Sequence, residues 1–248
     1  MKNFYIGIMD PGIASKFDRA FISVNQLRNR RTGFEANKWI MDSGGYTEIA
    51  NHGEYRHSVK IYAREIRRWK SQGELEYAVA QDWMCAPPIL NKTGLTIKRH
   101  QELTIERYDA LLDCDTNGVE ILPVLQGWHA SDFVRHLEMY GDRLGKEAYV
   151  GVGSVVSRSA KPRVMVSILC AIKHARPDLQ LHGFGIKLAS FRQPTVRALL
   201  YSTDSMAWSY AARKGGRDQT DWREAKQYEK EVLRMIRRDR LRMDGRPD

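Results

Sequence analysis

Tyr201-Ser202-Thr203-Asp204-Ser205-Met206-Ala207-Trp208-Ser209-Tyr210-Ala211-Ala212-Arg213 places one carboxylate where one kind of element gives way to another. Residues 198–202 read as a strand, and a helix is expected from Met206 onward. Asp204 falls between them. In a parallel α/β protein the carboxyl ends of the strands carry the chemistry. A second aspartate takes the same kind of place in Trp39-Ile40-Met41-Asp42-Ser43-Gly44-Gly45-Tyr46, and a third in Tyr77-Ala78-Val79-Ala80-Gln81-Asp82-Trp83. Three aspartates at three strand ends imply one site assembled from distant segments.

The rest of the chain alternates in the same way. Residues 4–8, 39–41, 77–80, 120–125, 149–152, 179–184 and 198–202 read as strands, several ending in Gly or Asp. Between them lie helical patterns. Residues 58–72 put Ile61, Ile66 and Trp69 near one face, and residues 161–175 put Val164, Ile168 and Ile172 at i, i+4 spacing. Residues 96–112 and 131–140 read alike. Strands separated by helices imply parallel pairing. No linker and no repeat stands out. The expected fold is α/β, a single TIM-type (β/α)8 barrel filling residues 1–248 as one domain, with room for irregularity at its last unit. A basic C-terminal helix over residues 221–243 ends it. Ala225, Tyr228, Val232 and Ile236 form its apolar stripe. Lys226, Lys230, Arg234, Arg237, Arg238, Arg240 and Arg242 give it a basic surface. That surface reads either as a solvated outer face or as a phosphate contact. Arg246-Pro247-Asp248 is expected to fray.

Composition sets outer limits. The chain has 248 residues and 42% hydrophobic content, enough for one sizeable core. No apolar run approaches the roughly 18 residues of a membrane span, and the N-terminus meets Asp10 too early for a signal peptide. Cys85, Cys114 and Cys170 are far apart, with no pair at metal-ligand spacing, which suits a reducing cytoplasm. The net charge of +10 favours a polyanionic partner such as nucleic acid, although solubility alone would also account for it.

Several motifs carry a resemblance. Asp42-Ser43-Gly44-Gly45-Tyr46 resembles the Asp-Ser-Gly-Gly-Phe motif of the guanine transglycosylases (the queuine tRNA-ribosyltransferase-like family). These enzymes exchange guanine in a nucleic acid for a 7-deazaguanine. Leu125-Gln126-Gly127 resembles that family's Gln-Gly loop, and Gly151-Val152-Gly153-Ser154 its glycine-rich loop. Leu181-His182-Gly183-Phe184-Gly185 resembles the strand that follows. Asp204-Ser205 with Tyr210 and Arg213 resembles the nucleophile segment of archaeal members. All five occur in family order. Ala80-Gln81-Asp82-Trp83-Met84-Cys85-Ala86-Pro87 and His100-Gln101-Glu102-Leu103-Thr104 resemble the DNA-directed branch found in phages and bacteria. Two departures stand beside these matches. An acidic residue is expected where Ala86 stands, and no Cys follows Cys170, whereas the tRNA enzymes carry a Cys-rich zinc site there.

The resemblance implies Asp204 as nucleophile and Asp42 as general acid/base. It implies Asp82, Gln126, Gly127, Gly151, Ser43 and Gly44 as base-binding positions, and Lys187 and Arg213 as contacts to flanking phosphates. Tyr46 or Trp83 would stack on the base. No metal and no cofactor is implied. For Asp42 to donate a proton, burial or a like charge should raise its pKa. The partners expected are DNA and a free 7-deazaguanine such as 7-cyano-7-deazaguanine, in a cytoplasmic setting, with a phage-encoded origin as one expected form. Three alternatives stay open: a tRNA enzyme without its zinc region, an inactive barrel that binds nucleic acid or a deazapurine, and a nucleosidase. Among the histidines, His100 and His182 read as satisfied core residues, and His129 as a candidate to line the site. Cys85 reads as a small buried hydrophobe.

Overall fold

The computed structural model describes residues 1–243. The strands are β1 (Asn3–Ile8), β2 (Arg19–Ser23), β3 (Lys38–Asp42), β4 (Glu74–Val79), β5 (Glu120–Leu122), β6 (Val124–Leu125), β7 (Tyr149–Val152), β8 (Gln180–Gly183) and β9 (Ser202–Ser205). They form one sheet in the order β5-β4-β3-β2-β1-β9-β8-β7-β6. Every neighbouring pair is parallel.

The two edges of this sheet are the same piece of chain. β5 pairs with β4, β6 pairs with β7, and only Pro123 separates β5 from β6. The sheet therefore closes on itself. Its nine strands make the staves of a TIM-type barrel, with β5 and β6 as two halves of one stave. Proline has no N–H to give a ladder, which is why the stave breaks there. The seam is repaired on both sides. The Pro123 carbonyl accepts the Gly151 N–H at 2.8 Å. The Tyr140 hydroxyl accepts the Val124 N–H at 3.2 Å and donates to the Val124 carbonyl at 3.1 Å.

Helices alternate with the staves: α1 (Val24–Leu27), α2 (Gly45–His52), α3 (Val59–Trp69), α4 (Pro87–Thr93), α5 (Ile97–Leu112), α6 (Ala130–Tyr140), α7 (Pro162–Ala175), α8 (Leu188–Phe191), α9 (Pro194–Leu199), α10 (Ala207–Lys214) and α11 (Trp222–Met243). Successive side chains of a strand point to opposite faces, so each stave feeds two cores. Tyr5, Ile40, Val79, Leu122 and Val124 fill the barrel interior. A larger cluster, including Ile6, Trp39, Met41, Ile66, Phe133, Ile168 and Leu181, lies between staves and helices. Among the described residues, no helix is long and apolar enough to cross a membrane.

Two sequence expectations need correction here. The stave at Arg19–Ser23 is absent from the sequence reading. It carries Arg19 and Ser23 on the face that a hydrophobic pattern would need to be apolar. Residues 198–202 are not a strand. Ala198 and Leu199 end α9, and the strand begins only at Ser202. The last stave, Ser-Thr-Asp-Ser, is polar throughout and buried throughout, so no hydrophobic period marks it. Asp204 thus sits inside a stave rather than beyond one. Two helices, α10 and α11, follow it.

On α11 the expected stripe of Ala225, Tyr228, Val232 and Ile236 is buried. Lys230, Arg234, Arg237 and Arg238 are exposed. Arg197 from α9 grips Asp239 with two hydrogen bonds of 2.5 and 2.8 Å. The side chains of Arg240 and Arg242, and the whole of Arg246-Pro247-Asp248, lie outside the described residues.

The seam gives a test of the fold. Tyr140→Phe removes the hydroxyl that satisfies both backbone groups of Val124. Leaving such groups unpaired costs about 1–3 kcal/mol. Urea titration should show a lower midpoint with an unchanged slope. An unchanged midpoint would mean that the seam does not depend on this hydroxyl.

Candidate active site

The C-terminal ends of the staves surround a cavity of about 440 Å³, a size typical of small-molecule sites. Asp42, Asp82, Gln126 and Asp204 all line it. They come from β3, from the loop after β4, from the end of β6 and from β9. The remaining wall is largely apolar: Phe21, Tyr46, Val79, Met84, Ala86, Pro88, Ile89, Val156 and Phe184. Among the described residues, neither Lys nor Arg lines it.

Local backbone chemistry aims each polar group. Asp42 closes β3, and its Oδ2 accepts the Gly44 N–H at 3.0 Å. Gly44 has φ +71°, and a Cβ there would lie 2.4 Å from Asn25 Nδ2. Only glycine makes this turn without strain. Asp82 is held on three sides. Its Oδ1 accepts from Ser43 Oγ at 3.4 Å, its Oδ2 accepts from Gln126 Nε2, and its carbonyl accepts from the Tyr55 hydroxyl at 2.9 Å. The Gln126 amide is oriented by Ser154, whose Oγ donates to Oε1 at 2.5 Å and accepts the Cys85 N–H at 2.6 Å. Ser154 holds a positive φ of 54° to do so. A Cβ at Gly153 would lie 2.1 Å from Gln126 Nε2, so glycine there leaves space for the amide. Beneath it, the Gln126 N–H donates to His136 Nδ1 at 2.8 Å, and Gln101 Nε2 donates to the Gln126 carbonyl at 2.7 Å. Burial pushes the His136 pKa down to about 3. The ring is therefore neutral, and its Nε2–H donates to the Gln101 carbonyl at 3.1 Å.

Asp204 is gripped by one oxygen only. Its Oδ1 accepts the Gly185 N–H at 2.9 Å and meets His182 Nε2 at 3.3 Å. Among the described residues nothing hydrogen-bonds Oδ2. The residue is nearly buried, at 6% exposure, yet borders the cavity.

The carboxylates shape one another. Burial pushes Asp42 up to about 6, against hydrogen bonds from Gly44 and Ser23 and with a further push from the charge on Asp204. Burial pushes Asp82 up to about 7, and the charge on Asp42 adds to it. The larger rise thus falls on Asp82, not on Asp42. Burial also raises the Tyr55 hydroxyl well above its ordinary value, so it stays a donor.

Ser43 is buried beneath the cavity wall and touches Asp82. Gly44 caps Asp42. Gly127 packs toward Asp132 and Phe133, away from the cavity. The Gly151 N–H is taken by the Pro123 carbonyl, and the Phe184 ring occupies the space where a Cβ would stand. Neither glycine lines the cavity. Lys187 is half-buried at the start of α8, and Arg213 is exposed over the Tyr210 ring. Neither of these cations lines it either. Trp83 packs edge-on against Tyr55 and His100, outside the lining. His129 caps α6 and is exposed. His100 is satisfied by Thr93 and the Met84 carbonyl. Cys85 is buried, and burial raises its thiol well above the ordinary range. Sequence reasoning missed Phe184, Ser154 and the contact of His182 with Asp204. The alternation of His182 on β8 with Phe184, just past its end, was the available signal. Among the described residues, no group of three His, Cys, Asp or Glu is arranged to hold a metal ion.

Compared with known families, the chain matches DpdA, DeoxyPurine in DNA protein A, over residues 1–238. It belongs to the DpdA family. The match takes in every residue that lines the cavity. Members of this family are DNA 7-deazaguanine transglycosylases, so the nucleic acid is DNA and the activity is base exchange. Comparison with curated proteins gives no match.

The raised pKa of Asp82 has a consequence for stability. A carboxyl whose folded pKa lies above its unfolded value adds stability at low pH and loses it as pH rises through the folded pKa. For Asp82 that window runs from about 4 to about 7. Asp82→Asn should therefore raise Tm by several degrees at pH 8 and by little at pH 4. Calorimetric scans showing an equal effect at both pH values would contradict the buried-charge cost.

Proposed function

We propose that this DpdA member exchanges guanine in DNA for a 7-deazaguanine such as 7-cyano-7-deazaguanine, through a covalent intermediate on Asp204. The observation that carries this reading is the half-held carboxylate. Asp204 Oδ1 is fixed by Gly185 and His182, while Oδ2, beside the cavity, has no hydrogen-bond partner among the described residues. An oriented carboxylate with one free oxygen suits attack on an anomeric carbon.

The target guanine must leave the helix stack to reach carboxylates that are themselves nearly buried at the ends of the staves. Tyr46 and Phe184, both lining the cavity, supply faces for the flat base. Asp82 accepts from N1–H and the exocyclic amine. The second N–H of the Gln126 amide is left for O6. Asp204 Oδ2 attacks C1′, the C1′–N9 bond breaks, and its electron pair leaves on guanine as Asp42 delivers a proton to the purine. The ionised Asp42 then takes the N9 proton of the incoming deazapurine. N9 attacks C1′, and the C1′–O bond electrons return to Asp204. Two inversions give net retention. An Asp42 pKa of about 6 suits a group that both gives and takes a proton near neutrality. Among the described residues no Lys or Arg lines the cavity, so the phosphates that flank the target are met outside it, by basic residues such as Lys187 and Arg213.

Base exchange is read by incorporation of labelled guanine into DNA. Asp204→Asn should lower exchange at least about 1000-fold, with the Kd for DNA within about twofold. A variant that still exchanges would remove Asp204 as nucleophile. The base site has its own pH test. Donors of the base bind ionised Asp82, so affinity for the free deazapurine should fall about tenfold per unit as pH drops below about 7. Calorimetric titration giving the same affinity at pH 5.5 and pH 8 would exclude Asp82 from base recognition.

A further inference from the structure

His182 is wholly buried, and on a hydrophobic reading it is core. Its environment is not that of a core residue. The register pairs it with Ser202 on β9, and Ser202 and Asp204 share a face two residues apart. Both ring nitrogens are engaged. Nε2 faces Asp204 Oδ1 at 3.3 Å, and Nδ1 lies 2.7 Å from Ser202 Oγ and 3.0 Å from the Tyr149 hydroxyl. Those two hydroxyls are 2.5 Å apart. An ionised carboxylate can only accept, so Nε2 carries the proton and Nδ1 takes one from a hydroxyl. The chain has a direction: Tyr149 to Ser202, Ser202 to His182, His182 to Asp204. The ring plane is fixed as well, stacked on Phe21 at 5.6 Å and edge-on to Phe184 at 4.9 Å. Ser, His and Asp in a row suggest a serine nucleophile, but Ser202 is wholly buried and does not line the cavity. It can serve only to orient the ring.

We infer that His182 is a positioning residue for Asp204, held in one tautomer by Ser202 and Tyr149 so that Asp204 keeps Oδ1 occupied and presents Oδ2 to the sugar. The inference rests on Asp204 being the nucleophile. The same N–H serves both halves of the exchange. It fixes the attacking rotamer in the first, and it stabilises the charge returning to the carboxylate when the C1′–O bond breaks in the second. Loss of one such preorganised donor costs on the order of 100-fold in rate.

The experiment measures how fast a denaturation-resistant DNA adduct forms from a guanine-containing oligonucleotide in single turnover, without acceptor base. Wild type and Asp204→Asn come first. No adduct in the wild type, or one that survives in Asp204→Asn, ends the nucleophile reading and this inference with it. His182→Phe keeps the aromatic volume and removes the N–H. His182→Gln keeps an N–H at about the same reach and loses the ring. A positioning role predicts His182→Phe slower by about 100-fold and His182→Gln within about tenfold of wild type, with the half-saturating DNA concentration unchanged. A packing role predicts the reverse order, and that result overturns the inference. Ser202→Ala with Tyr149→Phe tests the relay without touching the ring. About tenfold slower adduct formation at an unchanged half-saturating DNA concentration is expected, and no loss would also overturn it.

Discussion

The structure depends on placing carboxylates in one cavity that, among the described residues, no Lys or Arg lines. Asp42, Asp82 and Asp204 border this one space. Ionised carboxylates taken from water are costly unless paired or hydrogen-bonded. Here the compensation is almost entirely by N–H and O–H donors: Gly44 for Asp42, Ser43 and Gln126 for Asp82, Gly185 and His182 for Asp204. Partial compensation leaves Asp42 and Asp82 near neutrality in pKa, at about 6 and about 7. That is the range in which a carboxyl group can move protons. A nearby cation would have stabilised the site and removed this property.

The barrel makes such an arrangement possible. Each carboxylate needs its own rigid support, and each support is a different stave or the turn that follows it. The closure at Pro123 matters here because Gln126, the donor to Asp82, stands just past the seam. Tyr140, His136 and Gln101 tie that short strand to α5 and α6. Beneath Asp204 the barrel interior is itself polar, with Tyr149, His182 and Ser202 linked by hydrogen bonds. A polar interior core is tolerable because each of its groups finds a partner.

This polarity also decided what the sequence could reveal. The alternation of strands and helices, and the aspartates at strand ends, were legible because most staves bury apolar residues on both faces. Residues 149–152 and the helix over 161–175 are cases where pattern and structure agree closely. The last stave was misplaced because Ser202, Thr203, Asp204 and Ser205 bury polar side chains, while the apolar Ala198 and Leu199 belong to α9. β2 escaped for a related reason, with Arg19 and Ser23 at its ends. The convergence of Asp42, Asp82, Gln126 and Asp204 on one cavity followed from the barrel. The partners that tune them did not. Ser154, His136 and His182 act through contacts between residues far apart in sequence, and no spacing rule encodes those. Gly151 shows a second limit of sequence reading. It stands in a glycine-rich loop as a base reader would, yet its N–H belongs to the barrel seam.

The account turns on which atom of the protein joins the sugar. Peptide mapping by mass spectrometry of the adduct trapped on guanine-containing DNA reads that atom most directly. The account predicts the modification on the peptide that carries Asp204, at Asp204 itself, with the sugar retained and guanine released. Modification at Asp42, or release of guanine to leave an abasic site with unmodified protein, would contradict it.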